Sequence, residues 1–448
     1  MKKKTVSRRK VLATTAVATP FMIVPPHVLG GPRHIPPSEK LNIAAIGCGG
    51  MGRADLRNLA KENIVALCDV DSVRAAKSFK EHPKAKKYKD FRKMLEKEGK
   101  HIDAVQVSTP DHTHAVAGMA VLKAGKHLYC QKPLAHNLFD VRALTEEAKK
   151  TGLVTQMGIQ IHATDGMKSA VEIIKSGMIG KVHHVDIWSC KGREPGKVLR
   201  KNPATKPMPK MPTPSTLDWD LWVGPAQFRP YNKAYCPHAW RKWWEFGSGR
   251  LGDMACHILD PVFWSLDLKS PTHIEASPTE FTDQVYPDSN MVVWSFAARG
   301  TQPAVTVKWY DGANLNKIPV PKEAKGFKIP NQGGMYYGDK GVLFVPHFTG
   351  KGKKIRLFPA SKFEGIKAPQ LFKRRTNHWH EWIDACKSGG KTSAPFDYAG
   401  PLTEAVLLGN VATLARKKIA WDPVKMKITN DSAANAYLRA KYRKGWSL

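Results

Sequence analysis

Glycines between residues 47 and 52 have the spacing of a phosphate-binding loop, Gly-x-Gly-x-x-Gly. The loop lies between an apolar strand-like run and a segment with helical periodicity. The first glycine permits a tight turn, the second lets the backbone approach a pyrophosphate, and the third allows close packing of helix on strand. Unpaired N–H groups at the start of the helix bind the anion. The predicted dinucleotide contacts in this loop are Gly47, Gly49, Gly50, Met51 and Gly52.

An acidic residue follows the loop at the distance expected for a ribose contact. Asp69 ends the next predicted strand, 22 residues after Gly47. A carboxylate there accepts hydrogen bonds from the ribose hydroxyls and repels a 2′-phosphate, which favours NAD over NADP. Asp71 and Arg74 lie nearby and leave NADP open.

Two further segments carry groups suited to oxidising an alcohol. Lys132 precedes Pro133 at the end of a predicted strand, and Asp253 lies four residues before His257, on one face of a predicted helix. Histidine, with an unperturbed pKa of ~6.5, removes a hydroxyl proton near neutrality. A cation stabilises the developing alkoxide, and a nicotinamide cofactor performs the hydride step.

Strands and helices alternate in the first part of the chain. Predicted strands cover 41–46, 64–69, 104–107 and 127–130, and predicted helices cover 53–61, 73–79, 91–96 and 115–124. This alternation predicts a parallel, doubly wound sheet, hence an α/β fold with an N-terminal Rossmann domain.

The pattern changes beyond residue 151. It predicts a C-terminal α+β domain with a mostly antiparallel sheet, with helices at 166–176, 253–266, 378–388 and 402–415 and strands at 183–189, near 273, and at 291–297 and 304–310. We expect four segments: residues 1–40 as signal and linker, 41–158 as the NAD-binding domain, 159–375 as the substrate and dimerisation domain, and 376–448 as helices packed back on the core.

The order of these motifs resembles that of the Gfo/Idh/MocA family of sugar and polyol dehydrogenases. The glycine loop, Thr-Pro-Asp-x-x-His, Lys-Pro and Asp-x-x-x-His follow one another between about Leu41 and Glu404. The resemblance implies that Lys132 binds the reacting hydroxyl and the cofactor ribose. It implies that Asp253 contacts substrate and that His257 takes the hydroxyl proton as hydride leaves carbon.

The resemblance also implies further cofactor and substrate contacts. The cofactor contacts are Thr109, Pro110 and His114 in the loop after the fourth strand, together with Gln131, Lys132 and Pro133. Gln131 stands where the family usually has glutamate, so one negative charge beside Lys132 is lost. Substrate contacts are expected at Gln160, Trp240 and Arg241. The surrounding aromatic stretch, residues 219–244, either forms a sugar-stacking wall or packs a long loop.

The N-terminus has the layout of a twin-arginine export signal. Ser7-Arg-Arg-Lys-Val-Leu12 precedes an apolar run that ends before Pro25-Pro26. This route carries folded proteins, so we expect a periplasmic or otherwise exported protein that holds its cofactor tightly. The signal, the Trp-rich stretch and residues 397–404 resemble an exported subgroup of the family.

Composition limits the other classes of partner. The net charge is +33, but the lysines are spread along the chain and no nucleic-acid module is readable, so we expect no nucleic-acid partner. A solvated basic surface, or an anionic or cell-envelope carbohydrate partner, would account for the charge. No run reaches the ~18 apolar residues of a membrane span, so no stable membrane insertion is expected after processing. Seven cysteines without a Cys-x-x-Cys pair argue against a zinc site, and no metal is predicted.

Three functions are consistent with these features. The leading one is an NAD(P)-dependent oxidoreductase that takes hydride from a secondary hydroxyl of a small sugar or polyol derivative, working as a homo-oligomer. An NAD-dependent glycosidase that uses transient oxidation and elimination is the first alternative. A non-catalytic carbohydrate-binding protein is the second, and the intact Lys132, Asp253 and His257 argue against it.

Overall fold

The computed structural model of this protein describes residues 39–190, 204–348 and 354–448. The predicted export signal, Ser7 to Leu12, lies outside these residues.

A six-stranded sheet occupies the first part of the described chain. Its strands are β1 (Asn42–Ile46), β2 (Asn63–Cys68), β3 (Lys86–Tyr88), β4 (Ala104–Val107), β5 (His127–Gln131) and β6 (Thr155–Gly158). The order is β3-β2-β1-β4-β5-β6, and every neighbouring pair is parallel. The predicted Rossmann sheet is therefore confirmed. Strands β3 and β6 were not predicted, since their sequences, Lys-Lys-Tyr and Thr-Gln-Met-Gly, contain no apolar run.

Helices connect the strands of this sheet. They are α1 (Met51–Leu59), α2 (Ser72–Glu81), α3 (Phe91–Glu98), α4 (Asp111–Lys123) and α5 (Leu138–Thr151). The sequence analysis missed α5, although Asn137 caps its first turn and Gly152, in the left-handed region, ends it. The strand order reverses between β1 and β4, where ligands of such sheets bind.

A nine-stranded sheet follows. Its strands are β7 (Val182–Ser189), β8 (His273–Ala276), β9 (Met291–Phe296), β10 (Val305–Asp311), β11 (Gln332–Gly338), β12 (Gly341–Pro346), β13 (Arg356–Phe358), β14 (Ile419–Asp422) and β15 (Lys427–Ile428). Their order is β13-β12-β11-β7-β10-β9-β8-β14-β15. Among the described strands of this second sheet only β7 and β10 pair in parallel, so the mostly antiparallel sheet is confirmed. The tail thus adds two strands that the sequence analysis did not predict.

The remaining α-helices of the described residues are α6 (Asp165–Lys175), α7 (Trp219–Val223), α8 (Cys256–Ile258), α9 (Asp260–Leu266), α10 (His378–Ser388) and α11 (Phe396–Ala415). The helix predicted over 253–266 is present, but it is not a uniform α-helix. A π-helical turn, Leu251–Ala255, precedes α8 there, and Leu259 separates α8 from α9. Hydrophobic periodicity alone does not distinguish a π turn from an α turn.

The aromatic stretch forms a small core of its own. Trp219, Trp222, Tyr235, Trp243 and Phe246 are all at least 93% buried and pack on one another. Most of these rings therefore pack the loop rather than face a ligand. Among the described residues no helix is long and apolar enough to cross a membrane, and no cluster of metal-ligating side chains occurs.

Candidate active site

The glycine loop joins β1 to α1 with almost no free space. Gly47 has φ of +83°, and a Cβ atom there would lie 2.6 Å from the carbonyl oxygen of Ser108. A Cβ at Gly52 would lie 1.9 Å from the carbonyl oxygen of Gly47. Helix α1 has no side-chain cap at its N-terminus, so its first N–H groups have no side-chain acceptor there. The loop fits a pyrophosphate, because it is packed tightly from behind and presents backbone donors.

Asp69 anchors this loop from the end of β2. One carboxylate oxygen accepts a hydrogen bond from the N–H of Cys48 at 2.8 Å, and the other accepts from the N–H of Asp71 at 3.0 Å. Burial raises the pKa of Asp69, whereas these backbone donors lower it. Each oxygen keeps a further lone pair for a ribose hydroxyl. Arg74 lies beside the same loop, with a guanidinium nitrogen 3.1 Å from the position of a Cβ at Gly50.

One cavity of about 720 Å³ joins the loop to the predicted catalytic residues. From the predicted cofactor set it is lined by Gly47, Gly49, Gly50, Met51, Asp69, Thr109, Pro110, Gln131 and Lys132. From the predicted catalytic and substrate set it is lined by Asp253, His257, Gln160, Trp240 and Arg241. Gly52, His114 and Pro133 are not among its lining residues.

Lys132 and Asp253 form an ion pair on the cavity wall. The Lys132 ammonium donates to the Asp253 carboxylate at 2.8 Å and to its backbone carbonyl at 2.5 Å. Arg241 donates from Nε to the same carboxylate oxygen at 3.1 Å. Burial opposes ionisation of Asp253, but the two cations prevail and hold its pKa well below the usual range. One aspartate therefore fixes two cations, and Lys132 contacts both a carboxylate oxygen and the backbone carbonyl oxygen of this residue in the π turn.

His257 lies in α8, close to this pair. Burial lowers the pKa of His257 well below its ordinary value, the charge of Lys132 and neighbouring His347 lower it further, and Asp253 acts in the opposite direction. Within the described residues its buried Nδ1 makes no hydrogen bond. The imidazole is therefore neutral at physiological pH, which is the form a general base requires.

His114 does not contact the cavity, which corrects its predicted role as a cofactor contact. Its Nδ1 lies 2.8 Å from the carbonyl oxygen of Pro133, and its Nε2 lies 2.9 Å from that of Thr109. The side chain is 1% exposed. His114 therefore fixes the Lys132-Pro133 turn relative to the Thr109 loop.

The predicted substrate contacts differ in how they are held. Gln160 donates from its amide nitrogen to the hydroxyl of Tyr129 at 3.1 Å. Trp240 and Arg241 belong to one 3₁₀ turn, Ala239–Lys242, and the Arg241 guanidinium carbon lies 4.1 Å from the centre of the Trp240 ring.

Gln131 faces a buried carboxylate that the sequence analysis overlooked. Its amide nitrogen donates to Asp55 at 2.9 Å, and Asp55 also accepts from Ser108 at 2.7 Å and from Trp379 at 2.9 Å. Burial raises the pKa of Asp55 to about 6, while these three donors lower it. The carboxylate that the family usually has at position 131 is therefore replaced by that of Asp55, which is hydrogen-bonded to Gln131. Asp55 lies in an amphipathic helix, and nothing in the local sequence indicates that its side chain is buried against Gln131.

The second sheet supplies cavity residues that the sequence analysis also missed. Gln332 at the start of β11 and His347 and Phe348 just after β12 line the cavity. The His347 ring centre is 5.8 Å from that of His257. No local motif marks these positions, because long-range strand pairing places them there.

Comparisons with known proteins agree with this geometry. The profile of the Gfo/Idh/MocA oxidoreductase family, described as an NAD-binding Rossmann fold, matches residues 41–159. The family's C-terminal α/β domain matches residues 164–301. The chain belongs to this family of NAD-binding oxidoreductases.

Several of the relatives found are named as dehydrogenases. Myo-inositol 2-dehydrogenase of Thermotoga maritima is 32% identical over 152 residues, which are 33% of this chain and 45% of that protein. The chain thus spans less than half of that relative. A solved levoglucosan dehydrogenase with NADH and levoglucosan is 16% identical, covers 85% of this chain and 99% of its own, and has a TM-score of 0.57. The aldose-aldose oxidoreductase of Caulobacter crescentus has the same TM-score and sequence identity. Its match covers 85% of this chain and 100% of the oxidoreductase chain. At this identity the two structures show the shared fold.

Proposed function

We propose that this protein is an NAD-dependent oxidoreductase that oxidises a secondary hydroxyl of a sugar or polyol derivative. One observation carries the proposal: Lys132, Asp253 and His257 line the same cavity as the glycine loop. A pyrophosphate on the loop would leave the other end of the cavity for the nicotinamide and a small substrate. The dehydrogenases among the relatives support the same class of substrate.

The residues divide the reaction between them. The glycine loop and Asp69 would hold NAD, which would supply the hydride acceptor. His257 accepts the hydroxyl proton because its imidazole is held neutral. Lys132 stabilises the negative charge that develops on the oxygen as the proton leaves. Asp253 holds the Lys132 ammonium in place through two contacts on one residue.

The most direct test begins with the nucleotide. Purified protein is denatured, the released nucleotide is identified, and neutral and acidic sugars and polyols are screened for NAD reduction. We expect NAD(H) and at least one reducing substrate, with turnover abolished in His257→Asn and Lys132→Met. Release of an aglycone from a glycoside without net NADH would instead indicate the glycosidase. Absence of any NAD binding would refute both enzymes.

We also propose that the protein is exported in folded form with its cofactor bound. The basis is the twin-arginine pattern at Ser7 to Leu12 together with a cofactor that is not replaced outside the cytoplasm. A reporter fused to residues 1–40 should be exported by the twin-arginine route and should stay inside when Arg8 and Arg9 are both replaced by lysine.

A further inference from the structure

The substrate end of the cavity holds more fixed positive than negative charge. Lys132 and Arg241 share one carboxylate, that of Asp253. Of the other carboxylates on the cavity wall, Asp69 and Asp71 follow β2, and Asp111 begins α4, where it accepts a hydrogen bond from the backbone N–H of Ser248. The oxidised nicotinamide ring would add a further positive charge. A neutral sugar would leave this excess without compensation in a partly enclosed site.

Arg241 is held in a fixed position by three contacts. Its Nε donates to Asp253, and its guanidinium lies over the Trp240 ring. Its backbone is packed so closely that a Cβ at Gly247 would lie 2.5 Å from the Cα of Arg241. A guanidinium restrained in this way loses little further conformational freedom when it binds a ligand.

The far edge of the same guanidinium is available. Among the residues that the structure describes, neither Nη1 nor Nη2 of Arg241 donates a hydrogen bond, and the side chain is 44% exposed at the cavity. Two parallel N–H groups on one planar edge match the two oxygens of a carboxylate. The same edge could bind two oxygens of a phosphate or sulfate, so the test below includes a phosphorylated sugar.

We infer that the substrate is a sugar acid, whose carboxylate binds the Nη1/Nη2 edge of Arg241 while a secondary hydroxyl lies at Lys132 and His257. This inference rests on the proposed dehydrogenase and adds the chemical class of its substrate. The reaction converts the alcohol to a ketone, with the hydride going to NAD and the proton to His257. The carboxylate takes no part in bond changes.

Matched substrate pairs test the inference on the full-length protein. D-glucuronate is compared with D-glucose, D-galacturonate with D-galactose, and D-gluconate with D-sorbitol, with glucose 6-phosphate as the phosphate arm. We expect one acid to exceed its neutral partner at least 10-fold in kcat/KM. Arg241→Gln should lower kcat/KM for the acid about 10- to 100-fold, mainly through KM, and change the neutral partner far less. Arg241→Lys should be intermediate, since it keeps the charge and loses the paired donors.

A charge control and a binding measurement complete the design. Lys425→Gln removes one exposed positive charge outside the cavity lining and should leave the acid-to-neutral ratio unchanged. Calorimetric titration of each acid into the NADH-loaded protein, and into the protein alone, measures recognition without turnover. Binding of an acid that Arg241→Gln abolishes supports the inference even if no sugar is oxidised, in which case only the proposed dehydrogenase fails.

Other outcomes overturn the inference. Oxidation of neutral sugars as efficiently as acids, with Arg241→Gln slowing both equally, would leave the dehydrogenase standing without a sugar-acid substrate. If the acids do not bind, or if they bind Arg241→Gln as tightly as the wild-type protein, the proposed contact between the carboxylate and Arg241 is refuted. Preference for glucose 6-phosphate over every carboxylate would reassign the edge to a phosphate.

Discussion

The ammonium of Lys132 contacts Asp253 twice, at 2.8 Å through the carboxylate and at 2.5 Å through the backbone carbonyl. Lys132 directly follows β5 of the Rossmann sheet, whereas Asp253 comes from the π turn that precedes α8. The pair therefore connects the cofactor-binding sheet to the helix that carries His257. Any change at Asp253 should disturb orientation at Lys132 and the electrostatic environment of His257 together.

Replacement of Asp253 by asparagine tests the orienting role. The amide keeps the size of the side chain but loses the charge that fixes Lys132 and Arg241, so we expect kcat to fall by about 10²- to 10³-fold. Affinity for NADH, measured by its fluorescence, should change little because the glycine loop is intact. A variant that loses NADH affinity and keeps kcat would contradict this assignment.

The pH dependence of kcat/KM should reflect His257. A base works only when unprotonated, so activity falls as pH drops through its pKa. Because burial and Lys132 hold that pKa well below 6.5, the rate should be flat around neutrality and its acidic limb should lie below pH 6.5. In Asp253→Asn the limb should move to still lower pH, since the charge that raises the His257 pKa is gone. An acidic limb centred at or above 6.5 would show that His257 is not the base.

Glycine substitutions separate loop geometry from general destabilisation. Gly52→Ala places a methyl group 1.9 Å from the carbonyl oxygen of Gly47, so the loop must shift away from the pyrophosphate position. We expect the Kd for NADH to rise at least about 10-fold, which corresponds to about 1.4 kcal/mol. Gly99→Ala is the matched control, because no atom lies within 4 Å of its added Cβ. Equal NADH affinity in both variants would argue against the loop as the pyrophosphate site.

Gln131→Glu should destabilise the fold in a pH-dependent way. The new carboxylate would meet Asp55, which is fully buried and already has a raised pKa of about 6. Repulsion raises both folded-state pKa values above those of the unfolded chain, so the loss grows as pH rises and shrinks as pH falls towards 4. We expect a loss of about 1–3 kcal/mol in the free energy of unfolding at pH 7.5, measured by urea denaturation.

The double variant Asp55→Asn with Gln131→Glu controls for this repulsion. It restores one carboxylate and one amide, so part of the lost stability should return. Recovery will be partial, because Asp55 also accepts hydrogen bonds from Ser108 and Trp379 and an asparagine has only one acceptor oxygen. Equal destabilisation of the single and double variants would show that repulsion with Asp55 is not the cause.

The sequence was informative where a motif is local and uninformative where distant segments meet. The glycine loop and Asp69 follow their strands directly, so their arrangement could be read from spacing alone. Lys132 and Asp253 were predicted to act together only because their order resembles a family. Packing of α1 brings Asp55 against Gln131, and pairing of β12 brings His347 to the cavity. No local sequence pattern predicts either position.

The choice between NAD and NADP depends on Asp69 and Arg74, which both lie beside the glycine loop. The Asp69 carboxylate should repel a 2′-phosphate, so we expect NADPH to bind at least about 10-fold more weakly than NADH. In Asp69→Ser the charge is removed while Arg74 stays beside Gly50, and the NADPH-to-NADH ratio of affinities should rise. Asp69→Ser should also bind NADH less tightly, because the ribose hydroxyls and the Cys48 N–H lose their acceptor. Equal affinities for NADH and NADPH in the wild-type protein would mean that Arg74 offsets the repulsion, and Arg74→Gln should then weaken NADPH binding alone.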